Sequence, residues 1–92
     1  MQPEAKPTWV YFMRREKLIK IGYSNSPERR ASQLGAKILV TVPGGPEQER
    51  AFHVVYRALN AGGEWFEPGP DLIGTINLLR RDQSLPPLDL TT

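Results

Sequence analysis

The chain contains no cysteine, which excludes disulfide staples and thiolate metal sites and fits a reducing compartment. No apolar run comes near the ~20 residues that a membrane-spanning helix needs, and the first residues lack the apolar core of a signal peptide. No segment of the sequence repeats another. These absences predict a soluble, intracellular and cytoplasmic protein without a membrane partner. At 92 residues one domain is expected. A domain of this size buries roughly 60% of the surface that its unfolded chain exposes, enough for one modest core and not for two.

Charge is in mild excess, with a formal net value of +2. It is unevenly placed. Lys6, Arg14, Arg15, Lys17, Lys20, Arg29, Arg30 and Lys37 all precede residue 40, where only Glu4, Glu16 and Glu28 oppose them. The N-terminal half therefore presents a basic surface, for which nucleic acid is the natural partner class and an ordinary solvated face the plain alternative.

Residues 1–8 carry two prolines and no periodicity, which predicts a flexible lead. Trp9–Arg14 and Leu18–Tyr23 are crowded with β-branched and aromatic residues and read as a hairpin turning on Arg14-Arg15-Glu16-Lys17. Strand alternation puts Leu18, Lys20 and Gly22 on one face and Ile19, Ile21 and Tyr23 on the other. Ser26 as N-cap, Pro27 at the first helical position and Glu28 in the first turn predict a helix to Leu34, closed by Gly35. Lys37–Val42 reads as a third, more buried strand. Pro46 opens a helix expected to reach Asn60, with Ala51, Val54, Val55, Ala58 and Leu59 as its apolar face. Glu64–Glu67 is short and extended. Pro70 opens a last helix ending near Arg80-Arg81, and residues 82–92 read as a flexible tail. The fold class expected is a small α/β sandwich of order ββαβαα over residues 9–81. Its largely antiparallel sheet would have three strands flanked by helices, with Trp65-Phe66 as a ragged fourth edge.

Val10-Tyr11-Phe12, Lys20-Ile21-Gly22, Arg30 eight residues later, Glu49 near the start of a long helix, His53 and Gly63-Glu64-Trp65-Phe66 occur in an order that resembles the GIY-YIG endonuclease superfamily. The resemblance is to its short, phage-associated branch, and it spans about Trp9 to Arg80. It departs from the family in two places: Lys20 stands where the second motif has tyrosine, and Leu34 where many members have a histidine.

The resemblance implies a metal-dependent endonuclease that hydrolyses phosphodiester bonds, with DNA the expected substrate. Such hydrolysis requires an activated water and stabilised charge on the phosphate. Tyr11 would be the general base, with the Lys20 ammonium expected to lower its phenol pKa. Arg30 would clamp the phosphate with its planar fork. Glu49 would hold one Mg²⁺ or Mn²⁺, with His53, one turn on, assisting. Arg14, Arg15, Lys17 and Arg29 would contact nucleic acid. A homodimer or a partner protein would supply specificity that so small a chain lacks.

Each residue also has a plainer reading. Tyr11 can be an amphipathic strand residue and Lys20 a charge that blocks strand addition. Arg30 can pair with Glu28, and Glu49 can serve the helix dipole. Trp65 and Phe66 can be core plugs, and Glu64 is ambiguous. The catalytic reading requires Tyr11, Lys20, Arg30 and Glu49 to converge in one shallow cleft. The alternatives are a weakly active or inactive nucleic-acid-binding or regulatory module on the same fold, or a protein-interaction module.

Overall fold

A computed structural model describes residues 6–88. Strands β1 (Trp9–Arg15) and β2 (Leu18–Ser24) form the hairpin, followed by α1 (Pro27–Leu34), β3 (Lys37–Pro43) and α2 (Pro46–Val55). Strands β4 (Asn60–Gly62) and β5 (Trp65–Phe66) and helix α3 (Pro70–Asp82) complete the chain. The sheet has five strands in the order β3-β1-β2-β5-β4, and every neighbouring pair is antiparallel. The expected count of three strands is thus corrected, and Trp65-Phe66 is an interior strand of the sheet rather than its edge.

The difference arises where α2 ends. The helix stops at Val55 instead of Asn60, and Tyr56 turns into the core with its hydroxyl bonded to Thr75 Oγ1. A single 3₁₀ turn over Arg57–Leu59 leads into β4. Asn60 sets the following turn: its Oδ1 accepts from the Gly62 N–H and its Nδ2 donates to the Gly63 carbonyl, the local bonding at which asparagine excels. The expected apolar face of α2 is also corrected. Val54 and Val55 are exposed, and the helix packs instead through Phe52, whose ring meets Phe12 edge-on at 5.1 Å.

Two clusters sit on opposite faces of the sheet. Val10, Phe12, Ile19, Ile21, Leu39, Val40 and Phe66 pack under Tyr56 and under Leu72, Ile73 and Ile76 of α3. On the other face Tyr11 and Met13 pack under Ala31 of α1, with Leu34, Ala36 and Ile38 around them. Helix α1 is capped at its end as expected, by Gly35 in the left-handed conformation at φ 62°. At its start the Ser26 side chain makes no cap; its N–H donates instead to Ser24 Oγ.

The two terminal segments are tied down where they are described. Thr8 and Gly44 exchange a backbone bond and a hydroxyl bond. After α3, Arg80 Nε donates to the Pro86 carbonyl and the Leu88 N–H to Asn77 Oδ1, so residues 85–88 run back along the helix. The remainder of the expected lead and tail lies outside the described residues.

Candidate functional site

The site is built on the face of the sheet that carries Tyr11. In β1–β2 pairing Tyr11 stands opposite Gly22 and Met13 opposite Lys20, so one side of the hairpin carries a phenol, an ammonium and a bare glycine. The Tyr11 ring lies over Gly22: a Cβ there would stand 2.6 Å from Cζ. Glycine is therefore required beside this tyrosine because the ring occupies the place of a side chain. Tyr11 is 2% exposed. Its hydroxyl has no hydrogen-bond partner among the described residues, where no fully buried side-chain polar atom is left unpartnered.

Near the Tyr11 phenol stand charged groups from three further elements, β2, α1 and α2, and from the β4–β5 turn. Lys20 Nζ in β2 pairs with Glu64 Oε1, from the β4–β5 turn, at 3.0 Å. This contact follows from register: β2 pairs with β5 with Lys20 opposite Trp65, and the Ile21 N–H donates to the Glu64 carbonyl. Trp65 lies under two cations, the Arg15 guanidinium at 4.5 Å from its ring centroid and Lys20 Nζ at 5.3 Å. Arg15 also donates to the Leu34 carbonyl at the end of α1. Glu49 projects from the first turn of α2, and its Oε1 lies 3.8 Å from His53 Nε2.

The electrostatics bind these groups into one patch. Burial, then the Glu64 carboxylate, push the Tyr11 phenol above its ordinary pKa; Arg30 pulls against them and Glu49 adds to the rise. Burial, then Glu64, likewise push the Glu49 carboxyl up, against the pull of His53, Lys20 and Arg50. Glu64, Arg30 and Glu49 are thus within electrostatic reach of Tyr11, and Glu64, His53, Lys20 and Arg50 within reach of Glu49. Arg30 itself is exposed on α1 next to the buried Ala31, without an ion pair among the described residues. Its expected alternative partner Glu28 does not hold it.

Two expectations are corrected by this geometry, and three of the expected nucleic-acid contacts stand outside the cleft. The Tyr11 phenol is not lowered as expected from Lys20: burial, then Glu64, push it up, and Lys20 itself is paired with Glu64. His53 does not offer Nε2 to a metal or a proton-transfer step. That nitrogen donates to the Ile21 carbonyl at 2.8 Å, and the ring stacks edge-on against Phe66 at 4.9 Å. His53 therefore pins α2 to β2 one turn away from Glu49. Arg14 and Lys17 do not share the site: both line a cavity of about 340 Å³ with Leu39, Glu67 and Ile73 on the opposite face. Arg29 sits on the outer side of α1, opposite Pro27 and Ala31. The residue whose role was left ambiguous is Glu64, which touches Lys20 and acts on both titrating groups of the site.

Among the described residues no three His, Cys, Asp or Glu side chains come together in a metal-binding group, and no helix is long and apolar enough to cross a membrane. In comparisons with known proteins, no family model, no curated protein and no solved structure matches the chain.

Proposed function

We propose that the chain is a small phosphodiester hydrolase of the GIY-YIG type acting on nucleic acid, with DNA the expected substrate. The observation that carries this reading is the gathering of Arg30, Glu49 and Glu64, the last paired with Lys20, about the Tyr11 phenol, whose hydroxyl has no hydrogen-bond partner among the described residues. Groups retained only for solubility have no reason to meet around one buried phenol. An exposed guanidinium without an ion pair among the described residues suits a phosphate, which it can grip through two parallel hydrogen bonds.

The donor set fits a hard divalent cation such as Mg²⁺ or Mn²⁺. Glu49 is a carboxylate held against burial and against a second carboxylate, Glu64, and a cation would relieve both costs. Glu49 would hold it, with water and substrate phosphate completing the coordination, as is usual for Mg²⁺. When bound, the ion supplies neutralising charge at the phosphate.

The chain's own residues do the rest. Arg30 orients the phosphate and stabilises its developing charge. Tyr11 exchanges a proton with the attacking water. Its raised pKa keeps the phenolate scarce at neutral pH, so this step quickens as pH rises. Lys20 is held by Glu64 and by the Trp65 ring, and it keeps the sum of the two acids from expelling the substrate's own charge. His53 positions Glu49 through its bond to Ile21. Arg15 supplies a backbone contact.

One observation favours a second reading. The phenol is pushed up where a base would be pulled down, which suits a nucleic-acid-binding module with little or no cleavage. A nicking assay on supercoiled plasmid, with and without Mg²⁺ or Mn²⁺ and beside Arg30→Ala, separates the two. Metal-dependent nicking that the variant loses supports the hydrolase. A salt-sensitive gel shift without nicking supports the binding module.

A further inference from the structure

Helix α3 turns Leu72, Ile73 and Ile76 into the core. The helical period then gathers Asp71, Gly74, Leu78 and Arg81 into one outward stripe on the opposite side. That stripe has three features that the folded monomer does not use. Leu78 is 60% exposed. Gly74 sits inside the helix with nothing within 4 Å of the place its Cβ would take, although glycine is a poor interior helix residue and no internal contact calls for it. Asp71 and Arg81 are both exposed, and neither has an ion-pair or side-chain hydrogen-bond partner among the described residues.

We propose that this stripe is the interface of a homodimer in which two α3 helices pack antiparallel about a two-fold axis at the level of residue 76. Two pairs of positions are symmetric about that level: 74 with 78, and 71 with 81. In this register Leu78 of each copy enters the notch over Gly74 of the other, and each Asp71 faces the other copy's Arg81. The surface is self-complementary in shape and in charge, as an isologous interface must be. A groove of about 330 Å³ runs beside Gly74 and Leu78, walled by Leu85 and Pro87, and gives the entering leucine room. Its wall is fixed, because Arg80 and Asn77 hold residues 86 and 88 against the helix. Antiparallel pairing also sets each helix dipole against the other favourably.

The area is modest. Stable specific interfaces cover about 800 Å² on each partner, more than one helix of 13 residues offers. The dimer is therefore reversible and concentration-dependent. Helix α3 packs on the face of the sheet that carries Phe12, away from the Tyr11 ring and α1, so the dimer leaves the candidate site open. The inference does not depend on the hydrolase reading.

Sedimentation equilibrium on the full chain between about 10 μM and 1 mM tests it, with thermal melts to follow folding. The wild type is expected to move from monomer mass toward twice that mass across the range. Leu78→Asp changes an exposed side chain and should weaken association at least about tenfold, while the variant stays folded in melts at the dilute end of the range, where the wild type is monomeric. Asp71→Arg and Arg81→Asp should each weaken it, and the double exchange should restore it, since the same pair then meets with its signs reversed. A wild type that stays monomeric throughout overturns the proposal. So does a dimer that Leu78→Asp leaves intact, or a double exchange that fails to restore association lost by both single variants while the chain remains folded.

Discussion

Tyr11 and Gly22 face each other across the β1–β2 ladder, and the tyrosine ring fills the volume that any side chain at position 22 would need. The glycine therefore fixes where the Tyr11 hydroxyl emerges, and through it where the candidate site lies. Gly22→Ala should cost roughly 1–3 kcal/mol, the range for overpacking a filled interior. It should also push the hydroxyl away from Arg30 and Glu49. Repeating the substitution in a Tyr11→Ala background should remove most of that cost. A double-mutant cycle by denaturant unfolding checks this, and additive effects would mean that the two residues do not compete for space.

The Glu49 carboxyl is pushed up by burial and by Glu64. The sign follows directly. An acid whose pKa is raised on folding favours the folded state only while it is protonated, so its ionisation costs stability as pH rises from about 4.3, the ordinary glutamate value, through the raised folded value. Glu49→Gln should therefore melt no lower than wild type at neutral pH, and its advantage should vanish below that window. Melting curves from acid to neutral pH report it; a variant less stable at neutral than at acid pH, relative to wild type, would contradict the assignment.

Glu64 acts on both titrating groups and neutralises Lys20. Glu64→Gln should lower the Tyr11 phenol pKa and the Glu49 pKa together. Alkaline difference spectroscopy follows the first and carboxyl-region NMR the second.

His53 is the chain's one histidine, and its Nε2–H bond to the Ile21 carbonyl couples α2 to β2. His53→Ala should cost roughly 1–3 kcal/mol, since a partly buried carbonyl loses its donor and Phe66 loses an edge-on neighbour. Any activity should fall through misplaced Glu49, with its pH profile unchanged in shape. A shift of that profile would point to proton transfer by His53 itself.

Much of the scaffold is legible in the sequence. The two-residue period of β1 and β2 places Tyr11, Lys20 and Gly22 on one side, and Pro27 and Gly35 bracket α1. That same period puts the adjacent Arg14 and Arg15 on opposite faces, which a reading by charge alone passes over. The fate of Tyr56 was harder to read, because Ala58 and Leu59 continue a helical pattern that the inward turn of the tyrosine and the Asn60 turn interrupt. Glu64 was illegible for a related reason. Its contact with Lys20 depends on the register of β5 against β2, a pairing of two short segments far apart in sequence.

The account's central claim is that Tyr11, Arg30 and Glu49 act as one phosphodiester-cleaving site. Single-turnover nicking of supercoiled plasmid with Mg²⁺ or Mn²⁺, run on the wild type, Tyr11→Phe and Glu49→Gln with matched melting curves, tests it most directly. The account predicts cation-dependent nicking by the wild type, faster as pH rises. It predicts a loss of at least about 100-fold in each variant, with melting temperatures preserved. Wild-type protein that binds the plasmid without nicking it, or variants that nick as fast as the wild type, would contradict the claim.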